Sequence, residues 1–301
     1  MTISSKKIAA ASIIAAALLS HSGATAQTMH DNHFDWQGHR GARGLLPENS
    51  IPAFLKALEF PVLTTLELDL AVSKDGILII SHEPWMSADI CSQPDGSPVP
   101  ASQAREFRLL DLTYDQIRQY DCGSRGNRRF PQQKPSPCHK PSLEEMVQAV
   151  RSFCRENNRA LPRFNMEIKS HPDGDGSFTP PVADFASLVV AEIKRLGIRE
   201  LTCIQSFDLR ALQSVHQLDP TLPTALLIEK PGKPLEHIER LGYTPAVYSP
   251  YFKLLRKRDL RALHERGVRV VPWTVNDLDS MQKLVKWGVD GIITDYPDLA
   301  W

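Results

Sequence analysis

FDWQGHRGARGLLPENSIPAFLKALEF, Phe34 to Phe60, reads as one unit of strand, tight turn and helix. Phe34 to Gly38 form a short strand, and His39 and Arg40 stand where that strand runs out. Gly41 and Gly44 keep the turn uncrowded. Asn49 or Ser50 can cap a helix from Ile51 to Phe60, with Pro52 tolerated in its first turn. A histidine and an arginine at a strand end, followed by glycines and Pro47-Glu48-Asn49, make a phosphate-handling arrangement rather than a packing pattern.

Outward from that unit the chain keeps alternating short β-branched runs with amphipathic helical stretches, which is the signature of a parallel sheet with crossover helices. Eight strand candidates follow one another: Phe34 to Gly38, Thr65 to Leu70, Phe164 to Ile168, Leu201 to Gln205, Thr224 to Ile228, Ala246 to Ser249, Val268 to Trp273, and Gly291 to Thr294. Helical patterns lie over Ser142 to Asn157, Pro181 to Leu196, Leu209 to Gln217, Leu255 to Arg266 and Leu278 to Trp287. The fold class is therefore α/β, a TIM (β/α)8 barrel. The last strand stops shortly before Trp301, which leaves no room for a full closing helix, so closure near the eighth strand is expected to depend on other segments.

Ile77 to Ile80 form an extra strand after the Lys74-Asp75-Gly76 turn, so the second barrel strand continues into a hairpin. From about Glu83 to Lys140 the chain is rich in Pro, Gly, Ser and Arg, with a weak helix from Tyr114 to Tyr120. This is an insertion after the second strand, on the catalytic face, and such loops commonly shape a substrate entrance.

Residues 1–26 read as a secretory signal: Lys6 and Lys7, an apolar run from Ile8 to Leu19, and Ala24-Thr25-Ala26 before the cleavage point. The run is too short for the roughly 20 residues that span a bilayer, so no stable membrane insertion is expected. The mature barrel would cover 27–301 and be periplasmic or secreted. Without Lys6 and Lys7, 33 basic residues face 35 acidic ones, a formal charge of −2. That balance leaves no nucleic-acid footprint, and a charged substrate must be drawn by a local site. Of five cysteines, Cys91, Cys122 and Cys138 lie in the insertion, where one bridge in any of three pairings is plausible. Cys154 and Cys203 fall in helix and strand patterns and read as buried thiols.

In Leu66-Glu67-Leu68-Asp69-Leu70 the two carboxylates are two residues apart on a strand and so share a face. Glu167 occupies the corresponding end of the next strand, with Lys169 two residues on and facing the same way. Three convergent carboxylates suit a hard divalent cation, Ca²⁺ or Mg²⁺. His82, after the hairpin strand, comes near the strand ends where His39 projects, and two imidazoles can divide acid and base duties. Arg40 and Lys169 are the candidate phosphate contacts. Arg43, among glycines, is expected on an outward turn. Phe207 and Trp273 lie at strand ends and are candidates to line a pocket for the alcohol, with core packing as the competing role.

These pieces together resemble the glycerophosphodiester phosphodiesterase family. The resemblance rests on HRGARGLLPENS at His39 to Ser50, ELDLAVSKDG at Glu67 to Gly76, His82, PSLEEMV at Pro141 to Val147, NMEIK at Asn165 to Lys169, QSFD at Gln205 to Asp208, and PWTVND with GVDGIITDYPD at the end. It implies a barrel, a divalent cation on Glu67, Asp69 and Glu167, acid/base catalysis by His39 and His82, and phosphate contacts from Arg40 and Lys169. Glu48 would brace the site. The chain departs from the family in having Glu83 where Asp often follows the second histidine. The activity implied is hydrolysis of a glycerophosphodiester, a small-molecule substrate, to an alcohol and sn-glycerol 3-phosphate. The alternatives are a phospholipase D-like enzyme acting on lysophospholipids or sphingolipids, which needs an apolar rim where the insertion reads as polar and basic, and a non-catalytic metal- or phosphate-binding barrel.

Overall fold

The computed structural model describes residues 1, 2 and 34–301. The signal reading for 1–26 thus falls almost wholly outside the described residues. Nine strands and eight helices are described: β1 Asp35–Gly38, α1 Ile51–Leu58, β2 Leu63–Val72, β3 Leu78–Ile80, α2 Tyr114–Ile117, α3 Leu143–Glu156, β4 Arg163–Ile168, α4 Val182–Arg195, β5 Thr202–Ser206, α5 Leu209–Leu218, β6 Thr224–Ile228, α6 Pro234–Leu241, β7 Val247–Pro250, α7 Lys257–His264, β8 Arg269–Val270, α8 Leu278–Trp287 and β9 Gly291–Thr294.

Eight strands pair in parallel in the order β8-β7-β6-β5-β4-β2-β1-β9, and β3 folds back antiparallel on β2. The parallel strands and their crossover helices form the expected α/β barrel. Local chemistry explains the helices. Ser50 Oγ accepts from Ala53 N and starts α1, and Ser142 Oγ accepts from Glu145 N at 3.1 Å and starts α3. Along α3 the buried residues Leu143, Met146, Val147, Val150 and Cys154 form one apolar stripe. The main core lies between barrel and helices, where Phe54, Leu66, Leu68, Phe164 and Phe185 are fully buried. Each such side chain contributes roughly 2 kcal/mol of burial free energy.

One expectation changes and a second takes a definite form. The sequence reading names no helix after Thr224–Ile228, where Lys-Pro-Gly-Lys-Pro obscures the period, yet α6 follows with Pro234 in its first turn and Gly242 in the left-handed cap position. Closure is nearly complete without a direct β8–β9 ladder, and the residues after β8 make the seam. β9 pairs residue for residue with β1 from Asp35↔Gly291 to Gly38↔Thr294. The seam to β8 and the residues after it is held by Asp290 N to Val270 O, Ile293 N to Pro272 O and Val275 N to Ile293 O. Among the described residues a short 3₁₀ turn, Pro297–Leu299, follows β9.

The insertion is ordered and has a small core of its own, with Met86, Leu109 and Ile117 fully buried. Of the three possible bridges, Cys91–Cys122 forms and Cys138 is free. Cys154 is buried as expected, whereas Cys203 is only partly so. The excursion ends on β3: Ile80 N donates to the Pro141 carbonyl, and Ile79 bridges Ser142. No described helix is long and apolar enough to cross a membrane.

Candidate active site

Register places the acidic residues. Asp69 of β2 stands beside Glu167 of β4, and Glu67 stands two residues earlier on the same face. One carboxylate oxygen from each of the three lies within 4.8 Å of the others, and all three residues are buried. Burial, reinforced by the Asp69 charge, pushes the Glu67 carboxyl well above its usual range. Glu167 is pushed up to about 8, again chiefly by burial and against the pull of Lys169. Burial also opposes ionisation of Asp69, but Arg40, His82 and Lys169 outweigh it and hold that carboxyl well down.

Asp69 therefore carries the negative charge, and its two neighbours resist ionising in so small a space. A hard divalent cation resolves this conflict, and three converging oxygen donors on rigid strands fit one. Lys169 Nζ lies 3.3 Å from Glu167 Oε1 and 3.9 Å from Asp69 Oδ1. Asn49 Nδ2 donates to Asp69 Oδ2 at 2.8 Å. Of the two residues read as possible helix caps, Ser50 does the capping and Asn49 orients the carboxylate.

Below this cluster a chain of side-chain hydrogen bonds runs along the barrel interior. Gln205 Nε2 donates to Glu67 Oε1 at 2.6 Å. Asn165 Nδ2 donates to Gln205 Oε1 at 2.9 Å and to Gln37 Oε1 at 2.8 Å. Gln37 Nε2 then donates to Asp35 Oδ2, and Asp35 Oδ1 accepts from Thr64, Thr65 and Arg163. An ionised carboxylate only accepts, so Asp35 dictates which way the amides above it must point.

Both histidines have a carboxylate on Nδ1. His39 Nδ1 donates to Asp295 Oδ1 at 2.6 Å, and its Nε2 lies 3.9 Å from Glu67 Oε2. Burial first, and then the Arg43 charge, lower the His39 imidazole to about 4, against the pull of Asp295. Asp295 itself is held well below the usual carboxylate range; burial opposes this, but His39 and Arg43 prevail. His82 is more open, with its side chain 31 % exposed, and its Nδ1 lies 2.8 Å from Glu83 Oε1. Glu83 is lowered to about 2, since the hydrogen bond and charge of His82 overcome burial. The Glu-for-Asp departure thus keeps an orienting contact in place.

Arg40 adopts φ +50°, an uncommon left-handed conformation outside glycine, and the turn aims its backbone N–H at Glu67 Oε2, 2.8 Å away. Its guanidinium donates from Nη1 to Glu48 Oε1 at 2.6 Å, and its Nε lies 3.2 Å from Asp69 Oδ2. Glu48 is thus a brace, as the sequence suggested. Arg43 is a correction: it does not turn outward. It is only 9 % exposed, donates from Nε and Nη2 to the two oxygens of Asp295, and stacks over Phe130 of the insertion. The physical reason is that Gly44 packs against the Tyr296 ring, where a Cβ would come within 2.3 Å, drawing the turn onto the last strand's end.

His39, Arg40, Glu67, His82, Glu167 and Lys169 all line one cavity of about 910 Å³. Phe207 and Trp273 are on its wall too, in edge-to-face contact at 5.4 Å, and neither is buried in the core. Trp273 Nε1 donates to the Ser249 carbonyl, which fixes the ring. The insertion adds Trp85, in edge contact with Phe178, so the rim is more aromatic than the polar composition of the insertion suggests. Sequence reasoning gave no role to Asp295, Gln205 or Asn165. All three stood in quoted motifs, TDYPD, QSFD and NMEIK, but only folding brings them to His39 and Glu67.

Comparison with known proteins agrees with this fold. The chain is 31% identical over 273 residues to the glycerophosphodiester phosphodiesterase of Bacillus subtilis strain 168, covering 87% of this chain and 83% of that protein. A solved structure from Silicibacter pomeroyi, assigned to the glycerophosphoryl diester phosphodiesterases, superposes with a TM-score of 0.77 at 27% identity, covering 90% of this chain and 92% of its own. An Oleispira antarctica phosphodiesterase, solved with the product sn-glycerol-3-phosphate, shares the fold at a TM-score of 0.68 and 22% identity, covering 87% and 93%. With the family pattern matched over residues 39–299, the chain belongs to the glycerophosphoryl diester phosphodiesterase family.

Proposed function

We propose that this enzyme of the family cleaves glycerophosphodiesters to an alcohol and sn-glycerol 3-phosphate, with Glu67, Asp69 and Glu167 holding Ca²⁺ or Mg²⁺. The observation that carries the reading is a buried tricarboxylate, two of whose members line one cavity with two imidazoles, each imidazole backed by its own carboxylate. When bound, the cation neutralises phosphate charge and polarises the P–O bond.

The chain's own residues supply the rest. His39 donates its Nδ1 proton to Asp295, so a neutral imidazole offers the lone pair of Nε2 and acts as the base. It takes the proton of the attacking oxygen, either the glycerol 2-hydroxyl or a water. That oxygen forms the new bond to phosphorus as the bond to the alcohol oxygen breaks. His82 gives its proton to the departing alkoxide. Where the 2-hydroxyl has attacked, the cyclic phosphate so formed is opened to glycerol 3-phosphate by a water that loses its proton to the now neutral His82, while His39 returns its proton to the 2-oxygen. Lys169 and Arg40 place positive charge beside the phosphoryl group as negative charge develops. Phe207 and Trp273 receive the alcohol on an apolar wall.

Release of glycerol 3-phosphate from glycerophosphocholine, measured with Ca²⁺, with Mg²⁺ and with chelator, tests the reading. Product only with a cation, lost in folded His39→Ala and Glu67→Gln, is the expected result; near wild-type rates in either variant would sink it. The aromatic rim and the size of the cavity favour one further substrate class, lysophospholipids, as a second reading. Faster turnover of lysophosphatidylcholine than of glycerophosphocholine would select it.

The proposal includes export to the periplasm or medium. It is supported by the signal pattern in residues 1–26 and by the Cys91–Cys122 bridge, which suits an oxidising compartment. A mature N-terminus at Gln27, read by mass spectrometry of the secreted or periplasmic protein, tests it.

A further inference from the structure

Lys140, the last residue of the insertion, is only 6 % exposed. Its ammonium donates to Ser81 Oγ at 2.7 Å. Ser81 is itself fully buried, and its Oγ donates to the Glu83 carbonyl at 2.6 Å. Glu83 then receives His82 Nδ1 through its side chain. No carboxylate lies within ion-pair distance of Lys140 among the described residues. Glu83 and Glu48 are the carboxylates that face it from farther off. Lys140, Glu48 and His82 line a small cavity of about 10 Å³, about the size of one water, and Glu48 Oε2 is buried without a hydrogen-bond partner.

Burying an ammonium against one neutral oxygen is costly, and an apolar side chain of similar size would avoid that cost. The insertion's own core is apolar and does not call for this charge. The position does place it: Pro141 and Ser142 are bonded to β3, so Lys140 is pinned directly beside Ser81. We infer that Lys140 is a positioning residue for His82, holding the Ser81–Glu83 backbone in place and setting its charge opposite the Glu83 carboxylate that orients the imidazole. The insertion thereby reaches the reaction through its anchor as well as through its rim. This inference rests on His82 being the acid of the proposed reaction.

The test uses the full enzyme with saturating cation and glycerophosphocholine. Wild-type turnover is measured first, since its absence would count against the functional reading and not against this contact. Lys140→Met and Ser81→Ala should each lower kcat by at least about tenfold, the loss seen when an outer orienting partner is removed. KM should stay within about twofold, since substrate binding is untouched. The double variant should be no slower than Lys140→Met alone, because both changes break one linkage. A smaller loss in either folded single variant, a loss carried by KM, or multiplied losses in the double variant would overturn the inference. If Lys140→Met fails to fold, Ser81→Ala, which removes one oxygen, decides alone.

Discussion

Asp295 Oδ1 lies 2.6 Å from Nδ1 of His39, a residue 256 positions earlier in the chain. The same carboxylate accepts from Nε and Nη2 of Arg43 and from Asn276 Nδ2, so it cannot turn away from the imidazole. Such a carboxylate fixes the tautomer and steadies the cation formed when the base takes its proton. Asp295→Asn should keep the fold and lower kcat by about 100-fold or more, with KM little changed. Steady-state kinetics on glycerophosphocholine check this; a loss under threefold would remove Asp295 from the reaction.

The Arg43 charge is, after burial, the largest influence lowering His39 to about 4. His39 must be neutral to act as base, so activity should persist well below the ordinary histidine range and fail only as pH drops toward about 4. Removing the cation raises the imidazole, so in Arg43→Gln the acid limb of kcat/KM should move to higher pH. A limb that stays put, measured with saturating cation, would contradict this assignment.

Cation binding should raise the melting temperature of the wild-type enzyme by about 5–10 °C at a hundredfold excess over Kd. Glu167→Gln should abolish that shift while leaving the cation-free protein close to wild type, because its lost anion was already disfavoured by burial. Thermal scans with and without Ca²⁺ or Mg²⁺ decide the matter.

Gln205 is the only side chain described as donating to Glu67. Gln205→Leu leaves that carboxyl oxygen without its donor and frees Asn165, so cation affinity should fall about 10- to 100-fold. Calorimetric titration of the cation into both proteins gives the ratio; equal affinities would confine Gln205 to packing.

At the far end of the same chain of bonds, Asp35 is held below its ordinary value; burial opposes this, and Arg163 with the Thr64 and Thr65 hydroxyls overcomes it. A depressed carboxyl stabilises the fold above its unfolded pKa and loses that contribution as pH falls through the folded value. Asp35→Asn should therefore be less stable by about 1–3 kcal/mol at neutral pH, with the gap closing in acid, below the ordinary carboxylate range. Urea unfolding at the two pH values checks the sign.

Much of the site was legible because its members are neighbours along strands. Glu67 and Asp69, and Glu167 and Lys169, share faces by the two-residue strand period, and parallel register aligns them. Less legible was whatever depends on the meeting of distant segments. Arg43 turns inward because Asp295 arrives from the other end of the chain, and no local pattern announces that. The Cys91–Cys122 pairing follows from how the insertion folds, not from spacing. α6 escaped because Lys-Pro-Gly-Lys-Pro leads into it and Pro234 opens its first turn.

The pairing of β1 with β9 also orders events during synthesis. His39 emerges early, yet it has no carboxylate and the barrel no final wall until Asp295 has been made. A nascent chain, or one clipped anywhere before its last strand, holds the tricarboxylate strands but not a poised base. Competence for hydrolysis thus waits for Asp295, so activity itself reports that the strand at the barrel seam is in place.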